Sequence, residues 1–226
     1  MTQTARTYDV PIVSVNTGRA ETAIYRGKEA VTGIHKHRVD GAVRVSPQGV
    51  SGDEVADQVH HGGPDKAICV YSRVHFPHWE QVLGREMPFG AFGENLTVDR
   101  LYEKDVRIGD VFRVGSAVVQ ISQPRVPCWK LAMKWGLGEL PDLVIRSGAT
   151  GFYLRVLEPG EVRAGDPLEL EESHAAGVTV AEANRIMHTD KHDMAGIRKL
   201  LDLKDVLAGA WIDSLESRLA RLQAGG

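Results

Sequence analysis

The feature that most limits the fold of this chain is a long succession of short β-type segments. Between Asp9 and about Leu170, runs rich in Val, Ile, Tyr and Thr are separated by Gly-Asp and Pro-Gly turns, the pattern of strands joined by tight connections. The motif Val-Arg-x-Gly-Asp occurs at residues 106–110 and 162–166, each time before a strand-like segment. We interpret a third Gly-Asp, at residues 52–53, as a similar turn that leads into a strand.

Helical segments interrupt this β region without a regular alternation. Helices are predicted over about residues 73–83 and 141–146, and a shorter one is predicted after Pro127. A doubly wound sheet would need a helix after nearly every strand. The order therefore favours a closed or half-closed mixed β-barrel, and the predicted fold class is mainly β with α.

The pattern becomes helical near the C-terminus. Thr179 and Glu182 have the spacing of a capping box, which predicts a helix that begins there. Asp193 is placed to cap a second helix. Apolar residues at three- and four-residue spacing predict a third helix over about residues 204–222.

Two domains follow from this change of pattern. We expect a β-barrel domain over residues 1–172 and a small three-helix extension over residues 173–226. So short a helical segment forms too small a core to be stable alone. The extension should therefore pack on the barrel or on a partner.

Charge and hydropathy exclude several classes of protein. The chain has 27 Lys and Arg against 30 Asp and Glu, a formal net charge of -3, which provides no global basic field for nucleic acid. The N-terminal sequence lacks the apolar core of a signal peptide, and nowhere do about 18 apolar residues run together. We expect a cytoplasmic protein that binds neither nucleic acid nor a membrane.

Three common catalytic motifs are missing from the sequence. The dinucleotide motif G-x-G-x-x-G and the phosphate-binding motif G-x-x-x-x-G-K-[ST] do not occur, so neither a dinucleotide nor a nucleoside triphosphate site is indicated. The nucleophile elbow G-x-S-x-G is also absent. Any chemistry must come from less common groups of residues.

Cys128 is the strongest candidate for chemistry. Pro127 suits the first turn of a short helix that would end at Gly136, which places Cys128 at a helix N-terminus. Unpaired backbone N–H groups and the flanking cations Arg125 and Lys130 favour the thiolate, the form that attacks electrophiles or binds soft metals. A buried structural cysteine is the alternative, and the two cations argue against it.

The other cysteine has a different setting. Cys69 lies in the run Ala-Ile-Cys-Val-Tyr, which has strand character and no neighbouring cation. We expect it to be a core residue. Both thiols are expected to be reduced, and two of them cannot supply the four ligands of an ordinary iron–sulfur cluster.

A glycine pair provides a candidate anion site. Gly62 and Gly63 can adopt backbone angles that direct successive N–H groups toward one point, while Lys66 adds a charge and His61 a donor. Phosphate fits such a site. A tight turn with incidental polar residues explains the same segment equally well.

Paired histidines suggest a metal site less strongly. Three pairs supply six of the nine histidines: His35 and His37, His60 and His61, and His75 and His78. Zinc sites use such pairs, but no H-E-x-x-H spacing accompanies them. We favour solvated or hydrogen-bonded histidines and keep a zinc hydrolase as an alternative.

Four of these segments, in this order, resemble the motifs of the MOSC domain, which is named for the C-terminal domain of molybdenum cofactor sulfurases. They are residues 61–67, 93–96, 109–110 and 123–130. The chain is most similar to the YiiM-like branch, which carries a C-terminal three-helix extension. Residues 178–183 resemble the start of that extension, so the resemblance covers essentially the whole chain.

The resemblance implies a mostly β barrel that binds molybdenum cofactor, a pterin dithiolene with a terminal phosphate. Cys128 would be the protein ligand to molybdenum, a suitably soft sulfur donor. The remaining expected cofactor-binding residues are His61, Gly62, Gly63, Lys66, Asn95, Gln123, Arg125 and Lys130. Among them, the glycines with one of the three cations would hold the phosphate, and the two amides would bind the pterin edges.

The implied activity is the two-electron reduction of N-hydroxylated substrates, such as N-hydroxylated purine bases, to amines and water. This chain has no dinucleotide motif and no cluster-forming set of cysteines, so we expect a separate reductase, flavin or iron–sulfur, to supply the electrons. The alternative is a cofactor carrier or sulfur-transfer module in which Cys128 holds a persulfide. The helical extension is a candidate docking or lid element, although covering one end of the barrel is the simpler role.

Overall fold

A computed structural model of the chain describes residues 9–225. The first eight residues, which the predicted barrel domain includes, and the last residue of the helical extension lie outside the described residues. Thirteen strands occur in the described part: β1 (Asp9–Thr17), β2 (Glu21–Tyr25), β3 (Lys28–Thr32), β4 (His37–Val39), β5 (Val43–Ser46), β6 (Gly49–Val50), β7 (Ile68–Ser72), β8 (Leu96–Val98), β9 (Val111–Val114), β10 (Ala117–Pro124), β11 (Phe152–Glu158), β12 (Gly160–Val162) and β13 (Pro167–Glu172).

Seven of these strands form a closed barrel. Their order is β13-β9-β10-β11-β7-β8-β1, and the pairing of β1 with β13, for example Val10 opposite Leu168, closes the cylinder. The β7–β8 pair is parallel and the other neighbours are antiparallel. Closure leaves no unpaired edge between the seven strands. The predicted mixed β-barrel is confirmed.

Alternating burial explains why these segments are strands. On β9, Phe112 and Val114 are fully buried, whereas Val111 and Arg113 are half-buried. This alternation is what period-two packing against a core requires. Of the remaining described strands, β4 pairs with β1 at the side of the barrel, β2 and β3 form a hairpin, and β12, β5 and β6 form a small sheet.

The two Val-Arg-x-Gly-Asp motifs form the same turn, as predicted. In each, the aspartate accepts a hydrogen bond from the arginine backbone N–H, at 2.9 Å for both Asp110 and Asp166. Gly109 and Gly165 have φ of 87° and 97°, a conformation that favours glycine. Strands β9 and β13 follow directly.

The prediction for the third Gly-Asp was wrong, because no strand follows residues 52–53. The chain continues without regular structure until a short 3-10 helix at Pro64–Lys66. Asp53 instead turns inward and accepts hydrogen bonds from groups on other loops. A tertiary contact therefore replaces the expected strand pairing.

Six α-helices occur in the described residues, and the helices predicted near residues 73–83 and 141–146 are among them. They are α1 (Phe76–Leu83), α2 (Trp129–Trp135), α3 (Leu140–Ser147), α4 (Val180–Asn184), α5 (Met194–Leu201) and α6 (Gly209–Ala224). A π-helical turn, Arg185–Thr189, continues α4. None of the helices within residues 9–225 combines the length and the apolar character that crossing a bilayer requires.

The predicted caps of the C-terminal helices are present, but the last helix begins later than expected. Thr179 Oγ1 accepts from the Glu182 backbone N–H at 3.0 Å, and Asp193 Oδ1 accepts from the Gly196 N–H at 2.8 Å. Helix α6 starts at Gly209 and not near residue 204. The preceding residues form a turn because Leu203 and Leu207 are buried there in the core.

The helical extension packs on the barrel. Its buried residues Val180, Ile197 and Leu215 belong to the same continuous core as Phe112 and Ile121 of the barrel. Burying a side chain of this size contributes about 1.5–3 kcal/mol. Of the two arrangements expected for the extension, packing on the barrel or on a partner, the structure has packing on the barrel.

Candidate functional site: a cleft beside Cys128

One cleft in the described part of the chain brings Cys128 together with several of the predicted site residues. It has an empty volume of about 640 Å³ and lies where the ends of several strands and loops meet. We call it the Cys128 cleft. Its lining residues are Thr32, Gly33, Ile34, Lys36, Asp53, Glu54, Val55, Ala56, His61, Lys66, Ala67, Cys69, Phe92, Gly93, Asn95, Arg125, Val126, Cys128, Lys130 and Tyr153.

Cys128 is held at the start of α2 as the sequence predicted. Its backbone is extended, with φ -129° and ψ 172°, and its carbonyl accepts the first hydrogen bond of the helix, from Leu131 N–H at 3.0 Å. The helix ends at Gly136, whose φ of 68° is left-handed. The thiol is half-buried and free, so it is presented to the cleft and not enclosed in the core.

The two cations that flank Cys128 also line the cleft. Arg125 is only 5% exposed; its Nη2 donates to the Phe92 carbonyl oxygen at 2.7 Å, whereas its Nη1 is buried without a hydrogen-bond partner. Lys130 is also buried, and its Nζ lies 4.0 Å from Asp57 Oδ2. The cleft therefore holds positive charge next to the thiol.

The predicted glycine nest is divided between two cavities. His61 and Lys66 line the Cys128 cleft, while Gly62 and Gly63 line a neighbouring cavity of about 790 Å³ that Lys66 also borders. A Cβ at Gly62 would lie 2.9 Å from the backbone Cα and carbonyl oxygen of Gln58, and Gly63 has a φ of 91°, so both positions favour glycine. The Lys66 Nζ donates to the His60 carbonyl oxygen at 2.7 Å.

Burial makes His61 a neutral side chain at ordinary pH. Desolvation lowers its pKa to about 4, and the nearby charges of Lys130 and Arg125 act in the same direction. A neutral imidazole carries one N–H donor and one acceptor nitrogen. His61 can therefore offer the cleft a hydrogen bond without adding charge.

The two predicted amide residues occupy different places. Asn95 lines the cleft, where its Nδ2 donates to Asp53 Oδ2 at 2.9 Å and its Oδ1 accepts from Cys69 N–H at 3.0 Å. The side chain of Gln123 folds back, and its Nε2 donates to the Pro124 carbonyl oxygen at 3.0 Å. The structure does not bring Gln123 to the cleft wall, and its Oε1 is buried without a partner.

A buried ion pair in the cleft wall escaped the sequence analysis. Lys36 Nζ donates to Asp53 Oδ2 at 2.5 Å, and Asp53 Oδ1 also accepts from the Gly18 N–H at 2.9 Å. Both Lys36 and Asp53 line the cleft. The Gly-Asp turn was the only signal in the sequence, and it was interpreted as a strand connection.

A second buried carboxylate fixes the turn that enters β8. Glu94 is fully buried and accepts hydrogen bonds from the backbone N–H groups of Gly90 and Phe92, each at 2.8 Å. Burial raises the pKa of Glu94 and lowers that of Lys134, to about 8, although each group opposes the shift of the other. This network explains why a Gly-Glu-Asn turn precedes Leu96.

Cys69 is buried on β7, as predicted. Burial raises the pKa of its thiol to about 11, so the thiol stays protonated at neutral pH. Cys69 is nevertheless one of the residues that line the Cys128 cleft. The two cysteines therefore line one cavity, Cys69 buried and Cys128 half-buried.

The paired histidines do not assemble a metal centre in the described structure. His37 is exposed on β4, and His35 precedes that strand with its Nε2 3.9 Å from Glu21 Oε1. His75 Nε2 lies 2.9 Å from Glu103 Oε2. Within residues 9–225, no group of three His, Cys, Asp or Glu side chains is arranged to hold a metal ion.

An aromatic pair, Tyr25 and Trp129, lies beside the cleft next to Cys128, and we call this place the rim of the cleft. The ring centroids of Tyr25, at the tip of the β2–β3 hairpin, and Trp129, next to Cys128, are 5.6 Å apart with an interplanar angle of 22°. The Arg26 guanidinium lies 5.1 Å from the Tyr25 centroid. Trp129 is 43% exposed, so the pair lies at the protein surface.

The closed mixed barrel and its thiol-containing cationic cleft define a MOSC domain with an added helical unit. The MOSC domain model matches residues 57–169, and the model described as YiiM-like, 3-alpha helix domain matches residues 178–222. The chain belongs to the MOSC family, in its YiiM-like branch.

Particular relatives agree with this assignment along nearly the whole chain. The chain is 46% identical to the uncharacterized protein YflK of Bacillus subtilis, over 93% of this chain and 95% of that protein. It is 37% identical to Protein YiiM of Escherichia coli, over 91% of each. The crystal structure of YiiM from Geobacillus stearothermophilus superposes with a TM-score of 0.80 at 36% identity, over 93% of this chain and 99% of that one.

A more distant relative has a functional name. The chain is 33% identical over 78% of its length to a Gibberella moniliformis protein named Reductase, of which it covers 32%. Most of that protein lies outside the similarity.

Proposed function

We propose that the chain binds molybdenum cofactor in the Cys128 cleft and catalyses the two-electron reduction of N-hydroxylated substrates to amines. The observation that carries the proposal is the half-buried free thiol of Cys128 in a cleft that also contains the buried cations Arg125 and Lys130. Membership of the MOSC family supports the cofactor, and the relative named Reductase supports the type of reaction.

The residues of the cleft fit the chemistry of this cofactor. A thiolate is a soft ligand suited to a metal such as molybdenum. The unpartnered Nη1 of Arg125 is a buried donor that an anionic ligand would satisfy. Lys66 and Lys130 are further cations in reach of a phosphate that enters the cleft.

Each residue then has a defined task. When bound, the cofactor supplies a metal centre that changes its oxidation state by two electrons. Cys128 anchors this centre through its sulfur, and the surrounding cations balance the negative charge. Neutral His61 provides a hydrogen-bonding group without net charge, and Asn95, whose amide is bonded to Asp53 and to the Cys69 N–H, holds the cleft wall in place.

The electrons must come from another protein. The overall reaction consumes an N-hydroxylated base, two electrons and two protons, and yields the amine and water. Two cysteines cannot build an ordinary iron–sulfur cluster, and the sequence contains no dinucleotide motif. We therefore propose that a separate flavin or iron–sulfur reductase docks transiently and reduces the cofactor.

Metal content tests the cofactor assignment directly. The native chain, Cys128→Ala and Cys69→Ala are produced in cells that synthesise molybdenum cofactor, and molybdenum and pterin are quantified per chain. Native protein and Cys69→Ala should carry near-stoichiometric metal and pterin, whereas Cys128→Ala should have lost most of its molybdenum. Absence of both from the native protein would overturn the proposal.

Turnover tests the reaction assignment. Cofactor-loaded protein receives an N-hydroxylated purine and a chemically reduced viologen, and amine is measured by chromatography. Native protein should produce amine and oxidise two viologen equivalents per amine, and Cys128→Ala should not. A loaded protein that forms no amine would favour the cofactor carrier or sulfur-transfer module.

A further inference from the structure

Two buried polar side chains in the wall of the Cys128 cleft have unused hydrogen-bond donors. Tyr153, on β11, is 8% exposed, and within residues 9–225 its Oη makes no hydrogen bond, although the residue lines the cleft. Arg125 is 5% exposed, and its Nη1 is buried without a partner. Both observations are independent of any assumption about the cofactor.

The strand register places Tyr153 beside the thiols. Tyr153 is directly opposite Cys69 in the β11–β7 pair, and side chains of opposed residues share one face of a sheet. The electrostatic fields of Cys69, Arg125 and Cys128 all act at the Tyr153 hydroxyl. Burial, the largest influence, raises the pKa of Tyr153, so the hydroxyl remains a donor throughout the ordinary pH range.

Of the other three cations that line the cleft, Lys36 and Lys66 are hydrogen-bonded, and Lys130 Nζ lies 4.0 Å from Asp57 Oδ2. Lys36 is paired with Asp53, and Lys66 donates to the His60 carbonyl. Native proteins rarely leave a buried donor without a partner, because the donor has lost its hydrogen bonds to water and gained none in return. Arg125 Nη1 is such a buried donor, and the Tyr153 hydroxyl, which has no partner among the described residues, belongs to the same cleft lining, where a ligand can reach it.

We propose that Arg125 and Tyr153 form a donor pair that binds a negatively charged or strongly polar oxygen of a ligand beside Cys128. Arg125 supplies charge and Tyr153 a neutral O–H, so the pair recognises an oxyanion or an N–O oxygen. The identity of the bound atom rests on the reaction proposed above. In that reaction the donor pair binds the oxygen of the N-hydroxyl group, which leaves nitrogen when the amine forms. Tyr153 is then a substrate-contacting residue that the sequence analysis did not identify.

Alkylation of Cys128 tests the donor pair without molybdenum or an N-hydroxylated substrate. The full-length chain is produced in cells that cannot make the cofactor and is treated with iodoacetate, which carries a carboxylate, or with neutral iodoacetamide. Carboxymethylation and carbamidomethylation of Cys128 are followed by peptide mass spectrometry at one pH and ionic strength. The measured quantity is the ratio of the two rates.

Tyr153→Phe removes the hydroxyl without changing the net charge. We expect it to lower the iodoacetate-to-iodoacetamide ratio by about tenfold, as loss of one hydrogen bond to a charged group predicts. Tyr102→Phe removes an exposed hydroxyl far from the cleft lining and should leave the ratio unchanged. A Tyr153→Phe ratio within twofold of the native ratio would overturn the proposal.

Oxyanion competition provides a second measurement on the same proteins. Sulfate, added at constant ionic strength against chloride, should slow the reaction of native Cys128 with iodoacetate and have much less effect in Tyr153→Phe and Arg125→Lys. If sulfate protects Cys128 equally in native protein and in Tyr153→Phe, the proposed donor pair is contradicted. If native protein turns over the substrate but its iodoacetate-to-iodoacetamide ratio does not depend on Tyr153, the donor pair alone is rejected. If the ratio depends on Tyr153 but cofactor-loaded native protein forms no amine, only the proposed reaction is rejected.

Discussion

Lys36 and Asp53 form an ion pair inside the wall of the Cys128 cleft, with side chains only 7% and 5% exposed. The pair joins two loops that are separated in sequence, and Asp53 also accepts hydrogen bonds from Asn95 Nδ2 and the Gly18 N–H. This arrangement satisfies the charges that burial would otherwise penalise. The shape of the cleft therefore depends on a pair of charges and not on apolar packing alone.

Removing one member of this ion pair should lower the stability of the fold. Asp53→Asn leaves the Lys36 ammonium buried without a counter-charge, and we expect the free energy of unfolding to fall by about 3–5 kcal/mol. Urea denaturation of the cofactor-free chain measures the change. Lys199→Gln, which breaks the more exposed pair with Glu182, should cost less than about 1 kcal/mol. Similar losses in both variants would show that the buried pair has no special role.

The two cysteines should differ in reactivity although they share a cavity. The pKa of Cys69 is raised to about 11 by burial, so at pH 8 its thiolate fraction is on the order of 100-fold below that of an unperturbed thiol. We expect one thiol per chain, Cys128, to react with excess iodoacetamide before the other. Peptide mass spectrometry over time identifies the site. Faster labelling of Cys69 would contradict its assignment to the core.

Local signals predicted the parts of the fold that depend on neighbouring residues. Pro127 before Cys128 and Gly136 after the helix are sufficient to define α2, because helix ends are set by residues adjacent to them. The paired Gly-Asp turns at residues 109–110 and 165–166 were recognised for the same reason.

The remaining features depend on residues brought together only by folding. Lys36 meets Asp53, and Tyr153 faces the cleft, because strands and loops distant in sequence meet at one end of the barrel. The apolar spacing predicts a last helix from about residue 204, but Leu203 and Leu207 pack in the core as part of a turn, and α6 begins at Gly209. Periodicity alone does not show which apolar residues pack on another element.

The stability of the chain should depend on the protonation of His61. Its pKa is lowered from 6.5 to about 4 in the folded state, so between these pH values the unfolded chain binds more protons than the folded one. The stabilising contribution of neutral His61 is full above about pH 6.5 and is lost as the pH falls toward 4.

Glutamine at this position cannot take up the proton. We therefore expect His61→Gln to reduce the loss of unfolding free energy between pH 7 and pH 5 by about 2 kcal/mol relative to the native chain. Urea midpoints at the two pH values measure the difference. A ring signal of His61 that titrates near pH 6.5 in NMR spectra would contradict the prediction.

The stack between Tyr25 and Trp129 should hold the β2–β3 hairpin against the rim of the cleft. Among the described strands, β2 and β3 pair only with each other, and the stack with Trp129 ties the hairpin tip to the residue that follows Cys128. An aromatic pair contributes about 0.5–1.5 kcal/mol beyond its buried area. We expect Tyr25→Ala to accelerate amide hydrogen exchange in both strands by roughly two- to tenfold.

The same variant should open the cleft to large reagents. Tyr25→Ala should speed labelling of Cys128 by a bulky maleimide and change its reaction with small iodoacetamide by less than about twofold, because only the larger reagent needs the rim to open. Ile24→Ala is the matched control, since Ile24 is 74% exposed on the opposite face of the same strand. Equal effects of the two substitutions on exchange and labelling would mean that the aromatic stack does not restrain the hairpin.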